Sequence, residues 1–376
     1  IIILKYSSWE RDMIQLKDLG TFESVPHIVT DIVTGNISAL ENALANGWDI
    51  NIPIEIGEYS EHTPLELALV MCCLPSIQWL VENGADLNDE ETPSFLLAVR
   101  YGNQAIIDYV VTHGANVHAY VVTHGANVHA LNRVKVDAFQ AALYGKKYEH
   151  LQIIHDLGHT VQKYGSKAFR NAITDRNYEV LDFFIRNGVD INYNKPDSVY
   201  PFKPTPLCVA ARYVDLKMCK YLVEYGADVT ITEKDGMRPY SIAIEKGDME
   251  MAEYFKSLEP TEFHDIQNKM DQLKPFKLPK ALVSFLEGDT LYFELPDSDF
   301  LSIEFLPIID TIPFKLGRRN LLRLSKELGE YNEWQIVWDP KSKKISCYDI
   351  EHQELRELCK FDEFMSDMAG QLETLF

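Results

Sequence analysis

Residues 204–230 read PTPLCVAARYVDLKMCKYLVEYGADVT, and the two phrases that bracket this stretch decide how the chain folds. The first, Thr205-Pro-Leu-Cys-Val-Ala-Ala211, opens a helix. A Thr hydroxyl accepts from an orphan N–H of the first turn, and Pro suits that turn because the N–H it lacks is not needed there. The second phrase, Tyr225-Gly-Ala-Asp-Val229, closes a helix. Gly accepts the left-handed backbone that stops it, and the Asp side chain can hold the turn that follows.

Both phrases recur. The closing one returns as Asn83-Gly-Ala-Asp-Leu87, His113-Gly-Ala-Asn-Val117 and Asn187-Gly-Val-Asp-Ile191, and more loosely as Asn46-Gly-Trp-Asp-Ile50 and Leu157-Gly-His-Thr-Val161. Successive copies stand roughly 30 to 44 residues apart, the range of helical repeats. The opening one returns as Thr63-Pro-Leu-Glu-Leu-Ala68 and Thr92-Pro-Ser-Phe-Leu-Leu-Ala98, and small residues at Ala68, Ala98, Ala210, Ala211 and Ala243 would let neighbouring helices approach closely. These residues resemble the ankyrin repeat, whose pattern is Thr-Pro-Leu-His-x-Ala, a helix, then Gly-Ala-Asp. About seven units are expected, near 22–52, 61–88, 91–118, 134–161, 165–192, 204–230 and 235–258, the last with Arg238-Pro239 in place of Thr-Pro. The resemblance implies an α solenoid over residues 1–259, in which no helix pair has a stable interior of its own.

One stretch departs from the family. Residues 109–119, YVVTHGANVHA, are repeated unchanged at 120–130, and each copy holds a stop signal. One copy is expected to complete the repeat while the other forms a loop; the competing reading is a tandem duplication without functional meaning.

In ankyrin arrays the residues just before the inter-helix Gly point into a concave groove. Here the partner-binding candidates at those positions are Met71, Arg100, Tyr101, Tyr144, Asp175, Arg212, Tyr213 and Lys246. Tyr and Arg are the types enriched at binding hot spots. The plainer reading is that Tyr144 or Tyr213 packs on the next repeat. Acidic residues collect at the connections, with Glu55, Glu58 and Glu61, then Asp89, Glu90 and Glu91, then Glu233 and Asp235. Such residues are ordinarily solvated surface; along one edge they would steer a basic partner.

After Leu258 the pattern changes. A polar helix near 262–273, an amphipathic helix from Leu278-Pro279, strands near 291–295, 301–306, 320–324, 334–338 and 344–348, and a final helix carrying Leu355, Leu358, Phe361, Phe364, Met365 and Met368 predict a separate α+β domain over 260–376 with a mostly antiparallel sheet. Trp334, Ile336 and Trp338 fall on one strand face, which reads as core. The region resembles the SUKH superfamily in Leu278-Pro-x-x-Leu-x-x-Phe-Leu286, Gly317-x-x-Asn320, Trp334-Gln-Ile-Val-Trp-Asp339 with its return at 345–348, and Phe361-Asp-Glu-Phe364, although Glu287-Gly-Asp-Thr290 stands where the family has Asn-Gly-Gly. That family includes many bacterial immunity proteins, so the resemblance implies a domain that binds and neutralises a toxin.

Composition agrees with a binding role. At 376 residues, 46% hydrophobic and 25% charged, the chain is that of a folded protein, and its net charge of -21 repels phosphate backbones and suits a basic protein such as a nuclease. Simple solubility explains the charge equally well. The six cysteines form no CxxC, so reduced thiols in the cytoplasm are expected. The start, Ile1-Ile-Ile-Leu4, is too short for a signal peptide or membrane span, and the missing Met suggests that the natural chain begins upstream. Eleven histidines include no HExxH, and no phosphate-cradling loop or GxSxG is present, so neither a cofactor, a metal nor catalysis is expected. The expectation is a non-enzymatic protein that binds a protein partner, foremost a basic toxin, and not nucleic acid or membrane. The alternative is an adaptor joining two proteins.

Overall fold

The computed structural model describes residues 25–57, 60–113, 126–296, 298, 300–328 and 331–375. Seven helix pairs follow one another among them: α1 (His27–Thr34) with α2 (Ile37–Ala45), α3 (Pro64–Val70) with α4 (Leu74–Glu82), α5 (Ser94–Tyr101) with α6 (Gln104–Thr112), α7 (Ala138–Tyr144) with α8 (His150–Asp156), α9 (Ser166–Ala172) with α10 (Tyr178–Arg186), α11 (Pro206–Tyr213) with α12 (Leu216–Glu224), and α13 (Pro239–Lys246) with α14 (Met249–Leu258).

The opening phrases act largely as expected. The Thr63 and Thr205 hydroxyls accept from the N–H groups of Glu66 and Cys208, each at 3.1 Å. Thr92 does not cap: its hydroxyl donates to Asp89 at 3.2 Å, and α5 starts behind Pro93. The Asp89 carboxylate already holds that turn by accepting from the N–H groups of Glu91 and Thr92. Each closing phrase bends back through a bond from the residue after its Gly, as from Ala85 to the Leu80 carbonyl at 2.9 Å and from Ala227 to that of Leu222 at 3.0 Å. In the third pair this bond joins the Ala126 N–H to the Val110 carbonyl at 2.7 Å, eleven residues further along the chain than the Leu80–Ala85 spacing. The second copy of the duplicated segment thus supplies the repeat's turn; the expected loop falls on residues 114–125 and lies outside the described residues.

An asparagine just past the closing phrase links some turns to the next. Asn51 donates to the Gly84 carbonyl and accepts from the Asp86 N–H, while Asn192 does the same with Gly226 and Asp228. A short antiparallel hairpin of β1 (Ile54–Gly57) and β2 (Ser60–His62) precedes α3, which packs between α1 and α5; α7 lies beside α5, and α11 beside α13. The five small alanines singled out above are fully buried, which is what close approach of these helices requires.

The chain divides into two compact units. One runs to Ala168 and takes in Tyr178–Val189; the other holds Phe169–Asn177 and the described residues from Asp190 onward. The second unit therefore contains the last two helix pairs together with the region after them.

That region holds α15 (Ile266–Leu273), α16 (Lys280–Leu286), a hairpin of β3 (Tyr292–Leu295) and β4 (Leu301–Glu304), and a five-stranded antiparallel meander of β5 (Ile312–Leu316), β6 (Arg319–Leu328), β7 (Tyr331–Asp339), β8 (Lys344–Asp349) and β9 (Glu354–Glu357), then α17 (Phe361–Ser366) and α18 (Met368–Glu373). The antiparallel sheet is as expected, but two edge strands, β5 and β9, were not anticipated. Leu355 belongs to β9, and the single final helix is two short ones broken at Asp367, whose side chain caps the second. The expected polar helix begins only at Ile266, where Asp265 accepts from the Asn268 N–H. Along β7, Ile336 and Trp338 enter the main core with Leu282, Phe305 and Phe364, Trp334 packs against it, and Val337 faces a smaller cluster with Phe314 and Tyr348. The Trp338 indole N–H reaches the Phe276 carbonyl at 2.8 Å, so the one polar atom of that ring is satisfied inside the core.

Candidate functional site

The eight candidate residues fall into two groups, one in each compact unit. In the first, α5 ends in Arg100-Tyr101 and α7 in Tyr144. The approach of the two helix ends depends on Gly145, where a Cβ would stand 2.0 Å from the Arg100 carbonyl oxygen. With no side chain there, the Arg100 guanidinium sits 5.0 Å from the Tyr101 ring centre and 6.0 Å from that of Tyr144, within cation–π range. Tyr144 keeps 49% of its surface exposed and so is not consumed by packing. Met71 is the half-buried C-cap of α3, and its neighbour Cys72 donates through Sγ to the Tyr101 carbonyl at 3.0 Å.

In the second unit, Asp175 is exposed at the end of a short 3-10 turn, Ile173–Asp175. Arg212 and Tyr213 close α11, and Lys246 closes α13. Arg212 pairs with Glu233 at 2.7 Å, Lys246 donates to the Ala211 carbonyl at 2.9 Å, and Tyr213 is 60% exposed. Glu233 corrects the sequence reading: it is no solvated tip but is buried, at 6% exposure. Burial pushes its carboxyl up to about 7 against the pull of Arg212.

Arg212, Tyr213 and Lys246 line a cleft of about 600 Å³ whose other wall comes from beyond the helix pairs, with Tyr292, Glu304 and Glu327 among its residues. The chain places these together because α13 is tied to β6. The Glu245 carboxylate accepts from Arg323 at 2.6 Å and from the Glu327 N–H at 2.7 Å, and Arg323, only 2% exposed, also donates to the Ser325 carbonyl at 2.8 Å. Tyr240 on the same helix donates to Asp310 at 3.0 Å. Sequence reasoning missed Tyr292, Glu304 and Glu327. The alternation Tyr292-Phe-Glu-Leu295 marks Tyr292 as outward-facing, but nothing local says what it faces.

All six cysteines are free thiols. Among the described residues no group of three or more His, Cys, Asp or Glu side chains could hold a metal ion, and no helix is long and apolar enough to cross a membrane.

Comparison with known proteins agrees with the repeats. Residues 169–264 match the family model described as ankyrin repeats in three copies. The chain is similar to an ankyrin repeat protein of fowlpox virus, at 34% identity over 90 residues, covering 24% of this chain and 14% of the viral protein. It is likewise similar to an ankyrin repeat protein of Rickettsia bellii, at 32% identity over 87 residues, covering 23% of this chain and 51% of that one. The chain thus spans from about a seventh to about half of the length of these relatives. Among solved structures, the human ASB11 ankyrin repeat domain matches with a TM-score of 0.43 and 17% identity over 57% of this chain and 90% of that one. Ankyrin-repeat proteins are typically non-enzymatic binding proteins. The chain carries ankyrin repeats, and with them a fold suited to protein–protein interaction.

Proposed function

We propose that this protein is a non-catalytic capture protein whose first-helix ends grip a basic protein partner, and that its role is to neutralise a toxin. The observation that carries the reading is the clustering of Arg100 with Tyr101 and Tyr144, and of Arg212 with Tyr213, at equivalent helix ends. Tyr144 and Tyr213 are exposed, and Tyr supplies much contact area for little lost conformational freedom, while the half-buried Arg100 and Arg212 stand beside them. The net charge of -21 favours a cationic target over nucleic acid. In this reading residues 1–259 form the gripping array and residues 260–376 a SUKH-like module, an assignment that the five-stranded antiparallel meander with flanking helices supports.

The test is rescue of cells from a toxin encoded beside this gene, with and without Tyr101→Ala, Tyr144→Ala and Tyr213→Ala together. Arg212 is left intact, because its loss would strand Glu233 as a buried carboxyl without a counter-ion. Rescue by the native chain, lost in the triple variant at an unchanged melting temperature, is the expected result. Rescue that survives the triple change excludes the helix ends as the interface. Capture of several unrelated proteins without rescue would instead mark an adaptor.

A further inference from the structure

The cleft beside α11 and α13 is unevenly supplied with partners. Each cation lining it already has an acceptor: Arg212 has Glu233 at 2.7 Å, Lys326 has Glu304 at 2.7 Å, and Lys246 has the Ala211 carbonyl at 2.9 Å. Among the acids, Glu245 is bound by Arg323 at 2.6 Å. Glu327 is different. Its backbone N–H is used by Glu245, but among the described residues no cation lies within ion-pairing distance of its carboxyl. Burial, and then the neighbouring Glu245 charge, hold that carboxyl above its ordinary range against the weaker pull of Arg323 and Arg212, whose ion pairs go to Glu245 and Glu233 instead.

The same cleft carries two large aromatic side chains that packing does not use, Tyr213 at 60% exposure and Tyr292 at 55%. An aromatic face attracts a cation within about 6 Å, and most strongly a planar guanidinium, which can also stack. A pocket walled by aromatics with one carboxyl outside any ion pair among the described residues is the complement of a basic side chain on an apolar stem. A phosphate or an acidic peptide would meet Glu245, Glu304 and Glu327, and would compete with acceptors that the cations already hold.

We infer that this cleft receives an arginine side chain of the protein partner, its guanidinium against Tyr213 and Tyr292 and its charge on Glu327. The inference rests on the reading of the chain as a capture protein and adds to it a specificity site that the ankyrin groove alone does not provide. Both walls come from one compact unit, so the site is present before the partner arrives.

The probe is an acetylated, amidated Gly-Arg-Gly peptide titrated calorimetrically into the full-length chain at about 150 mM salt, where the Debye length of about 8 Å screens the general field of the acidic surface. The citrulline peptide, equal in shape but uncharged, is the reference. The arginine peptide is expected to bind at least tenfold more tightly than the citrulline one. Glu327→Gln and Tyr292→Leu should each remove at least fivefold of that preference, and Glu253→Gln, at an exposed site elsewhere, should leave it intact. Equal binding of the two peptides, no binding of either, or an equal loss in Glu253→Gln overturns the inference. The two readings separate in the toxin assay: rescue that fails in the triple tyrosine variant but is unaffected in Glu327→Gln keeps the capture function and discards the arginine site.

Discussion

His159 stands where the closing phrase of three other repeats has alanine. Ala85, Ala126 and Ala227 are 8%, 5% and 6% exposed, and the imidazole that takes this position is fully buried. It fits because Tyr164 stacks on it at 4.2 Å between ring centres, while Phe139 lies at 5.2 Å and the His129 ring at 5.4 Å. Burial, and then His129, lower its pKa to about 4. An unfolded imidazole titrates near 6.5, so between these values the unfolded chain binds a proton that the folded chain refuses. The stability contributed by the neutral ring is complete above about pH 6.5 and is lost as pH falls toward 4, on the order of 3 kcal/mol in all. His159→Phe keeps the stack and removes the titration. Its loss of stability between pH 7 and pH 4.5 should be smaller than that of the native chain by about 2 kcal/mol, read from urea midpoints across that range. An unchanged slope would show that the ring is solvated. Residues of this kind were only half legible: the phrase Leu157-Gly-His-Thr-Val161 gave the position, but its burial depends on a ring stack assembled from three segments. The Arg100–Tyr101–Tyr144 cluster was easier to read, because each member stands at a fixed offset from an inter-helix glycine, whereas Glu233 looked like surface until Arg212 was seen beside it.

At the level of helices and turns, the punctuation was readable where it is local. Thr63, Thr205 and the glycine stops act within three to five residues of themselves, and they set the helix pairs where the repeating phrases said they would be. The strands β5 and β9 escaped notice because their pairing is long-range. β5, Ile312–Leu316, is short and interrupted by Pro313, which an edge strand tolerates, and β9 takes residues whose apolar spacing also suits a helix. The duplicated segment yields a prediction of its own. Since the Val110–Ala126 bond already closes the third pair, deleting residues 114–124 restores a single His-Gly-Ala-Asn phrase with the same flanking residues. The closure entropy saved is small, under about 1 kcal/mol, so the thermal midpoint should stay level or rise slightly. A fall of more than a few degrees would show that the extra residues contribute to the fold.

For the whole molecule, sequence reading placed a division near residue 260, while the chain's own contacts gather the last two helix pairs and the sheet into one unit. The buried Arg323, held by Glu245, the Ser325 carbonyl and the Met237 sulfur, is the clearest physical cause, since removing one partner of a buried ion pair typically costs about 3 kcal/mol or more. Arg323→Met should therefore lower hydrogen-exchange protection in α13 and α14 together with β6 and β7. Protection lost from the strands alone would favour an independent 260–376 domain. Such long-range ties are invisible to pattern reading, because Glu245 and Arg323 each look like ordinary surface charges in their own segments. The same unit carries a natural optical reporter in Trp338. With its ring 2% exposed and its indole N–H engaged by Phe276, it should emit toward the blue and resist iodide, whereas the less enclosed Trp48, Trp79 and Trp334 are more open to quenching; the iodide-resistant emission should then report the melting of the core around the meander.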